Sequence, residues 1–409
     1  MIRKQTVKAG EAMWPMEGRV AQALTAAPAR IGTVAALFIT GFATFLNVYV
    51  TQPLLPEFRQ VFSASELLVS LTVSAPVLAV AMAAPLVGLM ADAVGRKRVI
   101  VAAMLGLAVP STLAATASDL GQLIVWRFLQ GIFVPGIIAV TIAYISEESP
   151  RRSVGATMAV YVTGTVVGGF AGRYFAGIAA THWGWRSAFL GIGAFTLIGA
   201  LATWWLLPRS TRFVRQNNAA AALRSMGRHL RNPQLLATYA VGFNVLFSMV
   251  AAFTYVNFYL ADEPFSLGPA ALATIFSVYL LGAVVTPVAG RLLDRIGFRR
   301  MLLCSVGLSS AGMLMTLFHY LPAVIAGLAL EATGVFACQS ASSGHVGNAA
   351  GEARSSAAGL YVTLYYFGGF AGSILPGFLW DRAGWLGCVA LILCMQITSA
   401  LIGNKLWKD

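Results

Sequence analysis

The chain has 409 residues, of which 58% are hydrophobic and only 11% are charged. Soluble domains carry about 25% charged residues, so this composition excludes an ordinary soluble protein and indicates that lipid surrounds most of the surface. The net charge of +13 would suggest a nucleic-acid partner in a soluble protein. Here the basic residues concentrate on one side of the apolar segments, which is typical of the cytoplasmic side of a membrane protein, so no nucleic-acid partner is expected.

Twelve apolar segments approach the roughly 20 residues that a membrane-spanning helix needs. We predict spans at 31–55, 66–91, 98–118, 121–145, 154–180, 186–207, 234–261, 268–292, 300–319, 322–345, 355–379 and 384–405. An even number of spans places both termini on the same side, and the basic residues near each terminus make that side cytoplasmic. The predicted class is an all-α integral membrane protein.

The spans divide the chain into four regions. Residues 1–30 are predicted as a cytoplasmic tail, because they are basic and lack the apolar core of a signal peptide. A first six-helix bundle covers 31–207, and a second bundle with a short cytoplasmic tail covers 234–409. The segment 208–233 between them contains six arginines and no acidic residue, which predicts a cytoplasmic linker.

The two halves repeat each other in sequence. Residues 88–98 read GLMADAVGRKR and return at 290–300 as GRLLDRIGFRR, and glycine-rich features of 161–185 return 200 positions later. Two like halves in a membrane chain predict two pseudo-symmetric bundles with a site between them.

Twelve helices, a basic central loop and the duplicated pattern G-x-x-x-D-x-x-G-R-[RK] resemble the major facilitator superfamily over about residues 31–405. In that family the duplicated loop is regarded as a latch that holds one conformation; the alternative is a determinant of topology alone. In the second copy Phe298 replaces the first arginine of the pattern. The resemblance assigns the latch to Gly88, Asp92, Gly95, Arg96, Lys97, Asp294, Gly297 and Arg299.

The fourth predicted helix carries Arg127-Phe-Leu-Gln130-Gly131, which resembles a second motif of the family, R-x-x-Q-G, associated with proton coupling. A charge inside hydrocarbon is costly, and by default it indicates function. The alternative is a structural arginine that is satisfied by neighbouring carbonyl groups.

The fifth predicted helix resembles drug/proton antiporters in its glycine spacing but departs from their pattern at Gly169 and Arg173, where those proteins have proline and glycine. The spacing favours export over import. The alternative is close helix packing through small residues. The glycines concerned are Gly155, Gly164, Gly168, Gly169 and Gly172.

Glu331 lies about nine residues into the tenth predicted helix, which places it roughly 14 Å deep at 1.5 Å per residue. A medium of low dielectric constant favours the neutral form of a carboxyl group, so Glu331 can take up and release a proton. The sequence therefore predicts Glu331 as a proton-coupling residue, and the resemblance implies the same role for Arg127. Glu331 could instead bind a cationic substrate without cycling protons, or stay paired in a structural role.

Polar and aromatic residues that should face the opposite half are candidates for contact with a small-molecule substrate. Aromatic side chains in such helices also serve as plain packing, and this alternative stays open for each. The candidates are Asn47, Tyr49, Asn257, Tyr259, Arg173 and Tyr366.

The sequence predicts neither a cofactor nor a metal site, since its histidines and cysteines have no ligand spacing. It shows no nucleophile–base set and no phosphate loop, so an enzyme is not expected. The resemblance to bacterial efflux permeases of the arabinose-efflux and multidrug type implies a monomeric, proton-coupled exporter of small, partly apolar, drug-like compounds in the bacterial inner membrane. An exporter of sugars, amino acids or organic anions is one alternative, and a membrane sensor without transport is another.

Overall fold

The computed structural model describes residues 15–150, 153–210, 227, 229–350 and 354–407, without the side chains of 15–30, 86–94 and 354–355. The described residues contain helices and no strands, which confirms the predicted all-α class. Most of the linker predicted at 208–233 lies outside the described residues.

The first half contains seven α-helices: α1 Pro15–Val48, α2 Leu55–Val61, α3 Glu66–Val94, α4 Arg96–Leu113, α5 Leu120–Glu148, α6 Val154–Trp183 and α7 Trp185–Leu206. Two short 3-10 turns, Gln52–Leu54 and Ala114–Thr116, follow α1 and α4. Helix α1 begins inside the segment predicted as a tail, so the first span continues toward the N-terminus as a longer helix than expected.

The second half contains the remaining helices: α8 Pro233–Ala261, α9 Pro269–Ile275, α10 Leu281–Ile296, α11 Phe298–Met315, α12 Leu321–Ala349, α13 Arg354–Ile374 and α14 Gly377–Leu406. The predicted span 268–292 is broken, because a 3-10 turn, Phe276–Leu280, separates α9 from α10. Helix α14 begins before the predicted start at 384 and bends at Gly384.

Ten spans in the described part of the chain are long and apolar enough to cross a membrane by length and composition. Helices α11 and α13 lie where the other two spans are predicted, so the chain forms the expected twelve-helix membrane protein. The packing repeats between halves, since α1–α6, α4–α5 and α4–α7 correspond to α8–α13, α11–α12 and α11–α14.

Corresponding glycines separate corresponding helices. Gly95 and Gly297 have φ values of +101° and +81°, and they lie between α3 and α4 and between α10 and α11. Residues with a Cβ atom rarely adopt this backbone region, so glycine permits the sharp turn that the repeated loop requires. Gly184, between α6 and α7, has a φ value of +81°, and Gly384, at the bend within α14, has a φ value of +52°.

The two halves meet through α3 with α13 and through α6 with α9. The meeting is tight at the end opposite the basic loops, where a Cβ atom on Gly177 of α6 would lie 2.5 Å from the carbonyl oxygen of Pro269. At the basic end, none of residues 154–160 of α6 is buried, and α10 buries only Gly282 and Ala289. The described molecule is therefore closed at one end and open toward the basic loops.

Candidate transport sites

Arg127 on α5 is completely buried in the first half. Its guanidinium donates to the last two carbonyl groups of α1, at N–O distances of 2.8 and 2.5 Å, and to the side-chain oxygen of Gln130. Its Nε donates to the carbonyl of Thr72 at 2.9 Å. That carbonyl lacks its usual helical partner, because residue 76 is proline and has no N–H group. Arg127 thus satisfies backbone groups that a helix end and a proline leave free.

Asn47, predicted to face the substrate, has its amide inside the first half. Its Nδ2 donates to the carbonyl of Ala43 and to the hydroxyl of Thr196, both at 2.8 Å, and its Oδ1 accepts from Ser111 at 2.6 Å. These bonds join α1, α4 and α7.

Asn257 and Tyr259, two further predicted substrate contacts, lie in the second half and also contact their own bundle. The side chain of Asn257 is buried and donates to the carbonyl of Phe253 on its own helix at 2.7 Å. The ring of Tyr259 stacks on Trp385, with a centroid distance of 5.6 Å and an interplanar angle of 11°.

Arg173, by contrast, lies between the halves. Its guanidinium is 1% exposed, and its carbon lies 4.8 Å from the ring centre of Tyr49, 4.8 Å from that of Phe276 and 4.3 Å from that of Tyr279. Tyr49 belongs to the first half and the other two rings to the second. Nε donates to Gln52 at 2.7 Å, and Nη1 donates to the carbonyl of Gly169 at 2.7 Å.

One amino group of Arg173, Nη2, is buried without a hydrogen-bond partner in the part of the chain that the structure describes. Two tyrosines, Tyr49 and Tyr279, present their rings to Arg173, and Tyr365 and Tyr366 of α13 pack against each other with 5.6 Å between ring centres. Their hydroxyls form no hydrogen bond with another described residue, whereas nearby Tyr361 is bonded to Ser342 at 2.7 Å. Free hydroxyls beside a buried cation can orient a polar ligand.

Glu331 on α12 is completely buried within the second half. Its Oε2 accepts from Ser309 and, at 3.3 Å, from Gln396, while its Oε1 has no hydrogen-bond partner among the described residues. The amide of Gln396 also bonds to Ser309 at 2.6 Å and to Ser310 at 2.7 Å. Glu331 is therefore held by α11 and α14 and forms no ion pair with Arg173.

A small cavity of about 20 Å³ adjoins Ser309 and Gln396, the two residues that hold Glu331. One water molecule needs at least 10–15 Å³ measured in this way, together with polar partners. The hydroxyls of Ser248, Ser305 and Ser309 supply such partners. The site can accommodate a water beside a buried carboxyl group.

The loops assigned to the latch differ in the two halves. Arg96 forms a two-point ion pair with Glu147 of α5, with N–O distances of 2.7 and 3.1 Å. Asp294 is exposed and has no ion pair among the described residues, and Arg299 donates to Asn404 at 2.6 Å. The side chains at 86–94, which include Gly88 and Asp92, lie outside the described residues.

Lys97, the remaining member of the latch, adjoins α7 of its own half. It lines a cavity of about 1130 Å³ between α4 and α7, together with Arg209 and Trp204.

Three of the five glycines singled out on α6 face α1. A Cβ atom on Gly164, Gly168 or Gly172 would overlap a backbone carbonyl of that helix. Gly155 has open space beside it, and Gly169 adjoins the guanidinium of Arg173. On α13, Gly368 and Gly372 face α8 in the same way, so the close approach of these helix pairs is duplicated.

Sequence reasoning missed several partners of these residues. Phe276 and Tyr279 follow a break in a predicted span, and nothing in the sequence signals that they reach Arg173. Gln396 lies far along the chain from Glu331, although a lone amide in an apolar helix is a detectable signal. The sequence gives no sign that Arg59 and Asp262 meet, yet they form an ion pair between the halves at 2.7 Å.

Comparisons with known proteins agree with this architecture. The profile of the Major Facilitator Superfamily matches residues 37–278 and 259–407. The inner membrane transport protein YnfM of Escherichia coli (strain K12) is 33% identical over 91% of this chain and 90% of its own length. The uncharacterized MFS-type transporter YybF of Bacillus subtilis (strain 168) is 31% identical over 91% and 93%.

More distant proteins extend the comparison. Multidrug resistance protein 2 of Bacillus subtilis (strain 168) is 23% identical over 83% of this chain and 86% of its own. A bacterial homologue of the human lysosomal transporter Spinster, in an inward-facing and occupied conformation, superposes with a TM-score of 0.77 at 15% identity, covering 93% of this chain and 98% of that one. The latter likeness concerns the fold alone. With its repeated halves, its twelve spans and the family profile matched along both halves, this chain belongs to the Major Facilitator Superfamily.

Proposed function

We propose that this membrane transporter exports small, partly apolar compounds across the bacterial inner membrane in exchange for protons. The observation that carries the proposal is the state of Glu331. It is the only buried carboxyl group among the side chains that the structure describes, and one of its oxygens has no partner. An intramembrane ionisable group with an incomplete set of partners is suited to binding a proton during a transport cycle.

The contacts between the halves support a mechanism of alternating access. The end opposite the basic loops is held by contacts of α6 with α9, by the ion pair of Arg59 with Asp262, and by a 3.2 Å hydrogen bond from Gln52 to Thr254. If the basic loops face the cytoplasm, as their charge predicts, the described conformation is open inward. Rocking of the halves would break these contacts and open the opposite end.

Export rather than import is supported by the glycine spacing of α6 and by the name of a distant relative, multidrug resistance protein 2 of Bacillus subtilis. The apolar and aromatic surroundings of Arg173 suit compounds with an apolar body. A second candidate, export of organic anions, is favoured by the same residue, because its positive charge lies between the halves.

The test uses purified protein in sealed vesicles with an imposed pH gradient. Three radiolabelled compounds cover the charge classes: chloramphenicol, a lipophilic cation and an aromatic carboxylate. We expect the gradient to drive accumulation of at least one compound, and we expect Glu331→Gln to abolish that accumulation. Glu263→Gln is the matched control, because Glu263 is exposed in a short loop and should transport normally. Accumulation that survives in Glu331→Gln would contradict the role of Glu331 in proton coupling.

A further inference from the structure

We infer that the compound carried by this transporter is an organic acid whose carboxylate binds Arg173 between the two halves. This inference rests on the proposed transport function and names the class of compound. The starting point is the charge of Arg173, which is permanent because a guanidinium does not lose its proton in proteins. No ion pair joins it to a carboxylate of the described residues, and Glu331 is hydrogen-bonded within the second half.

The hydrogen bonding of Arg173 is incomplete. A guanidinium has five N–H donors. Two of its nitrogens are used, by Gln52 and by the carbonyl of Gly169, while Nη2 is buried and unpartnered. A buried cation without full pairing is unfavourable, and a carboxylate is the ligand that matches the planar geometry of a guanidinium.

Three aromatic rings offset part of this cost in the described conformation, since the face of an aromatic ring attracts a cation. Two of these rings, Phe276 and Tyr279, belong to the second half. When the halves separate at this end, Arg173 on α6 stays with the first half and the two rings leave with the second. At the step in which the carrier opens to the opposite side, the cation therefore loses two of its three rings and keeps only Tyr49, Gln52 and the carbonyl of Gly169.

During that step a bound carboxylate would take the place of the two rings, Phe276 and Tyr279, that move away from Arg173. A ligand shifts a conformational equilibrium by the difference between its affinities for the two states, so an acid that pairs with Arg173 more strongly after separation promotes the change. A cationic compound would oppose it, because like charges at close range in a medium of low dielectric constant repel strongly. The charge of Arg173 therefore selects acids over amines.

The tyrosines define the rest of the compound. The free hydroxyls of Tyr49 and Tyr279, whose rings lie against Arg173, can donate to carboxylate oxygens, and the rings provide flat apolar surfaces. These features suit a carboxylate on an aromatic or otherwise planar body. A sugar would leave the aromatic surfaces poorly used, and an inorganic anion would not contact them.

The experiment measures binding to the full-length protein in detergent by isothermal titration calorimetry. The ligands are 1-naphthoate, 1-naphthamide and 1-naphthylmethylammonium, which share one ring system and differ in charge. We expect the acid to bind at least tenfold more tightly than the amide, and the amine to bind most weakly. In the unsubstituted protein, equal affinities for the three ligands, a preference for the amine, or no binding of the acid would overturn the inference.

Variants then assign the preference to a residue. Arg173→Gln should bind the acid and the amide alike, whereas Arg173→Lys should keep part of the preference because it keeps the charge. Arg186→Gln is the matched control, because Arg186 is an exposed arginine at the start of α7, in the same half as Arg173. A preference for the acid that persists in Arg173→Gln would overturn the inference. Because binding is measured without a gradient, the proposed proton coupling can fail while this result stands.

Discussion

Arg59 and Asp262 form an ion pair across the two halves, with 2.7 Å between Nη2 and Oδ1. Arg59 also contacts Glu66 of its own half at 2.8 Å. The pair lies at the closed end, near the hydrogen bond between Gln52 and Thr254. One side chain thus joins the loop after α8 to α2, and it must release that loop each time the halves separate at this end.

Asp262→Asn should weaken closure at this end. The pair is partly exposed, so its contribution is about 0.2–1 kcal/mol, which changes the ratio of closed to open molecules by only a few-fold. Spin labels at Gln60→Cys and Glu263→Cys, in a variant without native cysteines, would report the distance between the halves. We expect a larger long-distance population in Asp262→Asn, and an unchanged distribution would contradict a closing role for the pair.

Arg127 is predicted to act mainly on stability. Arg127→Leu leaves two carbonyls of α1 without a partner among the described residues and leaves the carbonyl of Thr72 with only a 3.4 Å hydrogen bond from Thr51. Each buried unpaired group costs about 1–3 kcal/mol. The melting temperature in detergent should fall sharply. Any transport that remains should keep its normal ratio of protons to substrate; a changed ratio would instead support proton coupling through Arg127.

A second substitution tests whether Arg127 stabilises the protein by bonding to the carbonyl of Thr72. Pro76→Ala restores an N–H group that can bond to the carbonyl of Thr72 within α3. The loss of stability from Arg127→Leu should therefore be smaller in the Pro76→Ala background. Strictly additive losses in this double-mutant cycle would contradict the connection between proline and arginine.

The close approach of α1 and α6 predicts opposite outcomes for two glycines of the same helix. Gly168→Ala would force a Cβ atom into the carbonyl of Phe42, and overpacking of this kind costs about 1–3 kcal/mol. Gly155→Ala meets open space and should leave the melting temperature unchanged. Gly368→Ala, against Phe243 in the second half, should behave like Gly168→Ala.

Glu331→Gln should separate two kinds of transport. An amide cannot exchange a proton, so net export driven by a pH gradient should stop. Exchange of labelled for unlabelled compound needs no net proton movement and should continue at a comparable rate. Loss of both activities, with a normal melting temperature, would instead indicate that Glu331 contributes to substrate binding.

The sequence predicts the fold well because its signals are local. Apolar segments of spanning length locate the helices, and the glycines at positions 95 and 297 mark equivalent turns in the two halves. The break between α9 and α10 is harder to predict, because the segment 268–292 is continuously apolar and its bend depends on contact with α6. Asn47 illustrates a related difficulty, since the helical phase of one polar residue does not reveal whether it faces a partner half or its own bundle.

The candidate sites are predicted less completely because they depend on contacts distant in sequence. Arg173 and Glu331 stand out as charges within apolar helices, and hydrocarbon makes such charges costly. Their surroundings come from other helices, as with Tyr279 beside Arg173 and Gln396 beside Glu331. A single sequence without a structure does not encode these pairings in any pattern that can be read directly.

Simultaneous measurement of proton and compound movement in the same vesicles tests proton-coupled export most directly. The vesicles would contain a pH-sensitive dye and a radiolabelled compound, with either the unsubstituted protein, Glu331→Gln or Glu263→Gln. We expect a proton flux that begins when the compound is added and runs in the direction opposite to that of the compound. This flux should disappear in Glu331→Gln alone. Movement of compound without any proton flux in the unsubstituted protein would contradict proton-coupled export.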